Sequence, residues 1–147
     1  MAVGARRETT VQHDHFIGQV QARARLASRG EAESATRATL ETLGERIPEG
    51  LAERLAGQLP REIAEHLRRT EVLGGSGSGE RFDRHEFIDR VANRAGNGVD
   101  PPRAAYLARV VFEVVDDATE GRVIQHVTDS LPDDLSQLLT AGSTGHV

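Results

Sequence analysis

Apolar residues recur at helical spacing along most of this chain, and no segment alternates in the two-residue rhythm of a strand. In the second half, Phe87, Ile88, Val91, Ala92 and Ala95 mark one helical face, and Asp83 with Glu86 is placed ahead of them as a capping box. Asp100 followed by Pro101 predicts the next helix start, because the missing proline N–H costs nothing in a first turn. Leu107, Val110, Val111, Val114, Val115 and Ala118 form its apolar stripe, which predicts that 101–118 is the most enclosed element. Thr119 is placed to cap a third helix carrying Val123, Ile124 and Val127. Pro132 opens a fourth, with Asp133 and Asp134 at the positive end of its dipole. The first half predicts helices centred on Phe16–Ala24, Ala35–Ile47, Leu51–Leu55 and Ile63–Leu67. Its second helix is less apolar, with Thr36, Thr39 and Thr42 where the later helix has Ala108, Val111 and Val114. The fold class is all-α.

The two halves also match residue by residue. Phe16, Ile17, Val20, Arg23 and Ala24 recur as Phe87, Ile88, Val91, Arg94 and Ala95, 71 positions later. Ala32, Arg37, Glu41, Leu59, Pro60 and Leu67 recur as Ala104, Arg109, Glu113, Leu131, Pro132 and Leu139, 72 positions later. The one-residue slip falls in a loop, where a structural repeat tolerates it, and the pattern reads as an internal duplication. "GQLPREIAEHL" and "DSLPDDLSQLL" are then the same latch twice: a buried Leu ends one helix and Pro begins a short closing one. Between the halves, "GGSGSG" at 74–79 is a flexible linker spanning about 14 Å, so the units must be neighbours. The expected organisation is a fraying N-terminus over 1–9, a first repeat over 10–73, a linker over 74–79, a second repeat over 80–139 and a fraying tail over 140–147. Two tandem repeats of about four helices each would pack into one compact bundle.

Composition narrows the chemistry. With no Cys, a disulfide framework, a cysteine zinc site and a thiol nucleophile are excluded. All 18 basic residues are Arg, a bias that genome composition accounts for more simply than anion binding. The net charge of −5 is uneven: residues 1–73 balance 11 Arg against 11 acids, whereas 74–147 hold 7 Arg and 12 acids. That balance argues against a nucleic-acid partner, which requires a basic footprint. No apolar run reaches the roughly 20 residues of a membrane helix. Arg6-Arg7 lacks a following apolar stretch and so does not read as an export signal. The default expectation is cytoplasmic.

Few side chains suggest chemistry. His13 and His15 point about 200° apart on a helix, so they would share a metal only if that turn unwound. Glu62 and His66 lie four apart with no nucleophile evident, and read as a surface pair. Glu113, Asp116, Asp117 and Glu120 gather over a helix end without the spacing of a calcium loop, which predicts a solvated acidic face fit for a basic partner. "GGSGSG" lacks the lysine and the strand–helix setting of a phosphate loop. Arg37/Glu41 and Arg109/Glu113 occur in both halves; each Arg could pair along its own helix, reach a carbonyl or carboxylate of a neighbour, or line a ligand cleft at the seam. No cofactor, metal site or catalytic set is expected.

A Phe-Ile-x-x-Val helix, then "RATLETLGERI", "QLP" and a short apolar helix, followed by "RFDRHEFIDRVANRAG", "ARVVFEVV" and "SLPDDL", resembles the bacterial family called domain of unknown function 2267. The likeness covers about residues 11–139 and departs at "EVLGGSGSG", where relatives often carry aromatic residues. It implies a compact helical domain with two similar halves, no established catalytic activity and a cytoplasmic accessory role. The functional expectation is a non-catalytic protein-interaction module. The alternative is a small-ligand sensor with its pocket between the repeats.

Overall fold

A computed structural model describes the backbone over 2–72 and 82–142, and side chains over 12–68 and 82–142. The described residues form eight helices and no strand: α1 (Ala2–Ala24), α2 (Arg29–Arg46), α3 (Glu49–Ala56), α4 (Arg61–Val72), α5 (Arg84–Ala95), α6 (Pro101–Ala118), α7 (Val123–Asp129) and α8 (Asp133–Thr140). The linker and the ends of the chain, 143–147 included, lie outside the described residues, as do the side chains of 1–11.

Local chemistry sets the helix starts. Ser28 is extended and its hydroxyl accepts from the Glu31 amide, while Glu31 reaches back to accept from Ala27. Asp100 does the same work 72 positions later, accepting from the Arg103 amide ahead of Pro101 and Pro102. Asp83 accepts from the Glu86 amide at 3.0 Å, but the Glu86 carboxylate turns to Arg90 instead of completing the box. Caps of this kind stabilise a helix start by about 1 kcal/mol. Thr119 does not open a helix. It closes α6, with its N–H and hydroxyl both on the Asp116 carbonyl, and Gly121 at φ 74 swings the chain into α7.

α2 lies at the centre, packed against α1, α4, α5 and α6. Eleven of its eighteen residues are buried against eight of eighteen in α6, so α2, not 101–118, is the more enclosed helix. Its composition explains this: Ala32, Ala35, Ala38, Thr36, Thr39, Thr42 and Gly44 are small, and small side chains let neighbours close in on every side. Ala118, placed by the sequence on a buried stripe, is exposed at the end of α6. Phe16, Ile17, Val20, Leu40, Leu43, Phe87, Val91 and Val110 form one continuous core with the closing helices.

The Leu-Pro latches behave alike. Leu59 and Leu131 are buried, and Pro60 and Pro132 stand immediately before α4 and α8, their carbonyls accepting from Ala64 and Ser136. Ile63, Leu67, Leu135 and Leu139 are fully buried behind them, each contributing about 1.5–3 kcal/mol by leaving water. At the C-terminus, order extends past the expected start of the tail: Thr140 ends α8 and Gly142 is buried.

Candidate functional site: a groove between α1 and α6

Charged residues of α1–α4 and α5–α8 exchange partners across the molecule. Arg23 of α1 reaches Glu113 and Asp117 of α6, each at 2.8 Å. Arg94, at the corresponding position of α5, reaches back to α2, 3.6 Å from Glu41 and 2.7 Å from Glu45, and donates to the Thr42 hydroxyl at 2.8 Å. Arg90 adds a second bond to Glu45 at 3.1 Å. Burial would push the Glu45 pKa up, but the bonds and charges of Arg94 and Arg90 outweigh it and hold the carboxyl below its ordinary value. The bond to Asp117, then that to Glu113, raises the pKa of Arg23 further above its usual value against the opposing effect of burial. Tyr106 of α6 donates to the Arg23 carbonyl at 3.0 Å, and Arg54 of α3 meets His126 of α7 at 3.0 Å. A guanidinium at both Arg positions fits this task because its fork serves two acceptors at once.

Arg37 and Arg109 both aim at backbone. Arg37 donates to the Arg94 carbonyl at 3.4 Å, and Arg109 donates twice to the Gly142 carbonyl, at 3.1 and 2.7 Å. Of the sequence alternatives, the reach to a neighbouring carbonyl is therefore present at both sites. Glu113 and Asp117 serve as partners of Arg23 rather than as a purely solvated face, while Asp116 and Glu120 are exposed.

Between α1, α6 and the turn joining α3 to α4 lies a half-open groove of about 620 Å³ with mostly apolar walls. Phe16, Pro60, Val114 and Ala118 supply the apolar surface; Gln19 and Asp117 stand on its polar side. Gln58 also lines it and accepts from the Glu120 amide at 2.6 Å, which brings the end of α6 to the groove mouth. His15 faces this groove, whereas His13 turns towards α4, its Nδ1 3.5 Å from Glu62. The two imidazoles thus diverge as helical geometry requires. Arg29 bonds Asp14 and holds its carboxyl below the ordinary carboxylate range. Among the described residues, no group of three or more His, Asp or Glu side chains could hold a metal ion.

The surface at corresponding positions of the other half is different. There Phe82 lies against Phe87, with ring centroids 6.4 Å apart, and two guanidiniums cover it: Arg90 at 3.9 Å and Arg46 at 5.8 Å from the ring centre. Arg46 also donates to the Phe82 carbonyl at 2.8 Å. What remains is shallow, charged and open.

The family model described as "Uncharacterized conserved protein (DUF2267)" matches residues 13–138. The chain belongs to the DUF2267 family. No curated protein matches it. Within this DUF2267 chain the matched span runs from α1 to α8, and so includes the groove and every cross-tie named above. Among the described residues no helix is long and apolar enough to cross a membrane. Sequence reasoning missed two features of the DUF2267 bundle: the groove, and the exchange of Arg23 and Arg94. The repeated Arg at 23 and 94, beside the repeated Glu at 41 and 113, carried the signal for the exchange.

Proposed function

We propose that this chain is a non-catalytic, cytoplasmic interaction module, built by duplication of a four-helix unit, that docks a partner protein in the α1–α6 groove. The observation carrying this reading is the groove itself, a concave and mostly apolar surface to which both halves contribute. Supporting the duplication, α2 and α6 begin 72 positions apart on equivalent caps and end at equivalent extended residues, Ile47 and Thr119. α4 and α8 follow proline at the same interval. With Asp116, Asp117 and Glu120 at the α6 end, the groove favours a basic partner. A photo-crosslinking residue placed at Gln19 in the native cell should trap a specific protein, and one placed at exposed Glu65 on α4 should not. Equal labelling from both positions would refute docking in the groove. So would labelling from Gln19 that survives charge reversal at Asp116, Asp117 and Glu120 unchanged.

A second reading rests on a smaller cavity of about 320 Å³ where the α1–α2 and α5–α6 turns meet. Residues at corresponding positions line it from both sides, Glu31 opposite in charge to Arg103, and Ala35 with Leu107. A small zwitterionic metabolite fits that pairing. A thermal-shift screen of amino acids and related zwitterions in which none raises the melting temperature would remove it.

A further inference from the structure

We infer that the groove receives an aromatic side chain from the partner, flanked by Arg or Lys; this rests on the docking reading above. The template is inside the molecule. Phe82 sits over Phe87 and beneath Arg90 and Arg46, a ring packed on a ring and capped by cations. In the groove, Phe16 stands where Phe87 stands, and Pro60 where Pro132 stands. The two capping arginines are replaced: Gln19 occupies the place of Arg90, and Ala118 the place of Arg46. The residue at the chain position of Phe82 is Val11, whose side chain lies outside the described residues; an isopropyl group cannot supply a ring.

Two consequences follow from those exchanges. Losing two long guanidinium side chains leaves space and apolar wall where the other half has cover, and an aromatic side chain buries about 150–250 Å² in such a seat. The cation that completes the arrangement also has to come from elsewhere. The groove mouth is prepared to hold it: Asp117 lines the wall, and the exposed Glu120, joined to the groove through Gln58, has no side-chain partner among the described residues. A ring with a neighbouring guanidinium or ammonium would thus restore from outside what Phe82, Arg46 and Arg90 provide internally.

Panning a random phage-displayed peptide library against the purified full chain tests this. Enriched peptides should carry Phe, Tyr or Trp beside Arg or Lys. Ala118→Arg or Gln19→Arg, which installs the residue of the other half, should weaken a synthetic enriched peptide at least tenfold, and Glu120→Arg about threefold. Both groove variants are checked by circular dichroism, and either one alone suffices. If peptides are lost on Ala118→Arg but lack an aromatic or a basic residue, this inference is wrong while docking in the groove stands. If their binding ignores both groove variants, or nothing enriches, the inference is overturned; indifference to both variants overturns docking in the groove as well.

Discussion

Arg94→Met separates a half-buried brace from an exposed one. Its guanidinium is 26% exposed, and the carboxylates it serves, Glu41 and Glu45, are 11% and 15% exposed. Arg23 is also 26% exposed, but its partners are far wetter, at 26% for Glu113 and 58% for Asp117. Breaking a fully buried pair costs about 3–5 kcal/mol, whereas an exposed pair contributes about 0.2–1 kcal/mol. Discounted for its partial exposure, Arg94→Met should cost about 2–3 kcal/mol, including the lost bond to Thr42, and Arg23→Met about 1 kcal/mol. Methionine keeps most of the apolar stem, so the difference reports the charge and not the packing. For a chain of this size the Arg94 variant should melt about 5–10 °C lower. Urea unfolding followed by circular dichroism at neutral pH measures both costs. The pH dependence adds a sign. Because the Glu45 pKa is depressed in the folded state, its contribution is intact above the ordinary value of 4.5 and is lost as the pH falls below that value through the folded pKa. The gap between wild type and Arg94→Met should therefore shrink in acid. Equal costs for the two arginines at neutral pH, or a gap that widens in acid, would refute this reasoning.

Three further outcomes are expected. Thr39 Oγ1 is buried on α2 with no hydrogen-bond partner among the described residues, so Thr39→Val should be neutral or stabilising by up to about 1 kcal/mol in chemical denaturation. Thr42→Val should instead cost about 1 kcal/mol, since its hydroxyl donates to Ala38 and accepts from Arg94. Gly142→Ala should destabilise the chain by about 1–2 kcal/mol and raise amide exchange at the end of α8, because its φ is 74 and a methyl there would come within 2.6 Å of Glu113 Oε2.

The helices were legible because their punctuation is local. Ser, Asp and Pro before an apolar period state where a helix begins, and Asp83, Asp100 and Pro132 all do so in the structure. Thr119 misled because a threonine before an apolar run looks the same whether it ends one helix or begins the next. Gly121 decides the matter two residues later. The enclosure of α2 was illegible for a different reason. A hydrophobic stripe measures side-chain polarity, whereas enclosure by four neighbours depends on side-chain size, and Thr36, Thr39 and Gly44 score as surface while serving as clearance. Arg46 and Glu41 are buried for the same geometric reason, each with a cross-half partner. The groove was hidden because its walls come from residues as distant as Phe16 and Val114, and no local pattern records their meeting.

The small residues of α2 also bear on biosynthesis. This helix leaves the ribosome complete at Arg46, yet two of the helices that cover it, α5 and α6, end only at Ala95 and Ala118. At typical translation rates of about 5–20 residues per second, its central faces wait several seconds for cover. A leucine-rich helix would spend that interval as an adhesive surface. A helix of Ala, Thr and Gly exposes little apolar area while it waits, so the same residues that admit four neighbours in the finished bundle limit self-association of the nascent chain before they arrive.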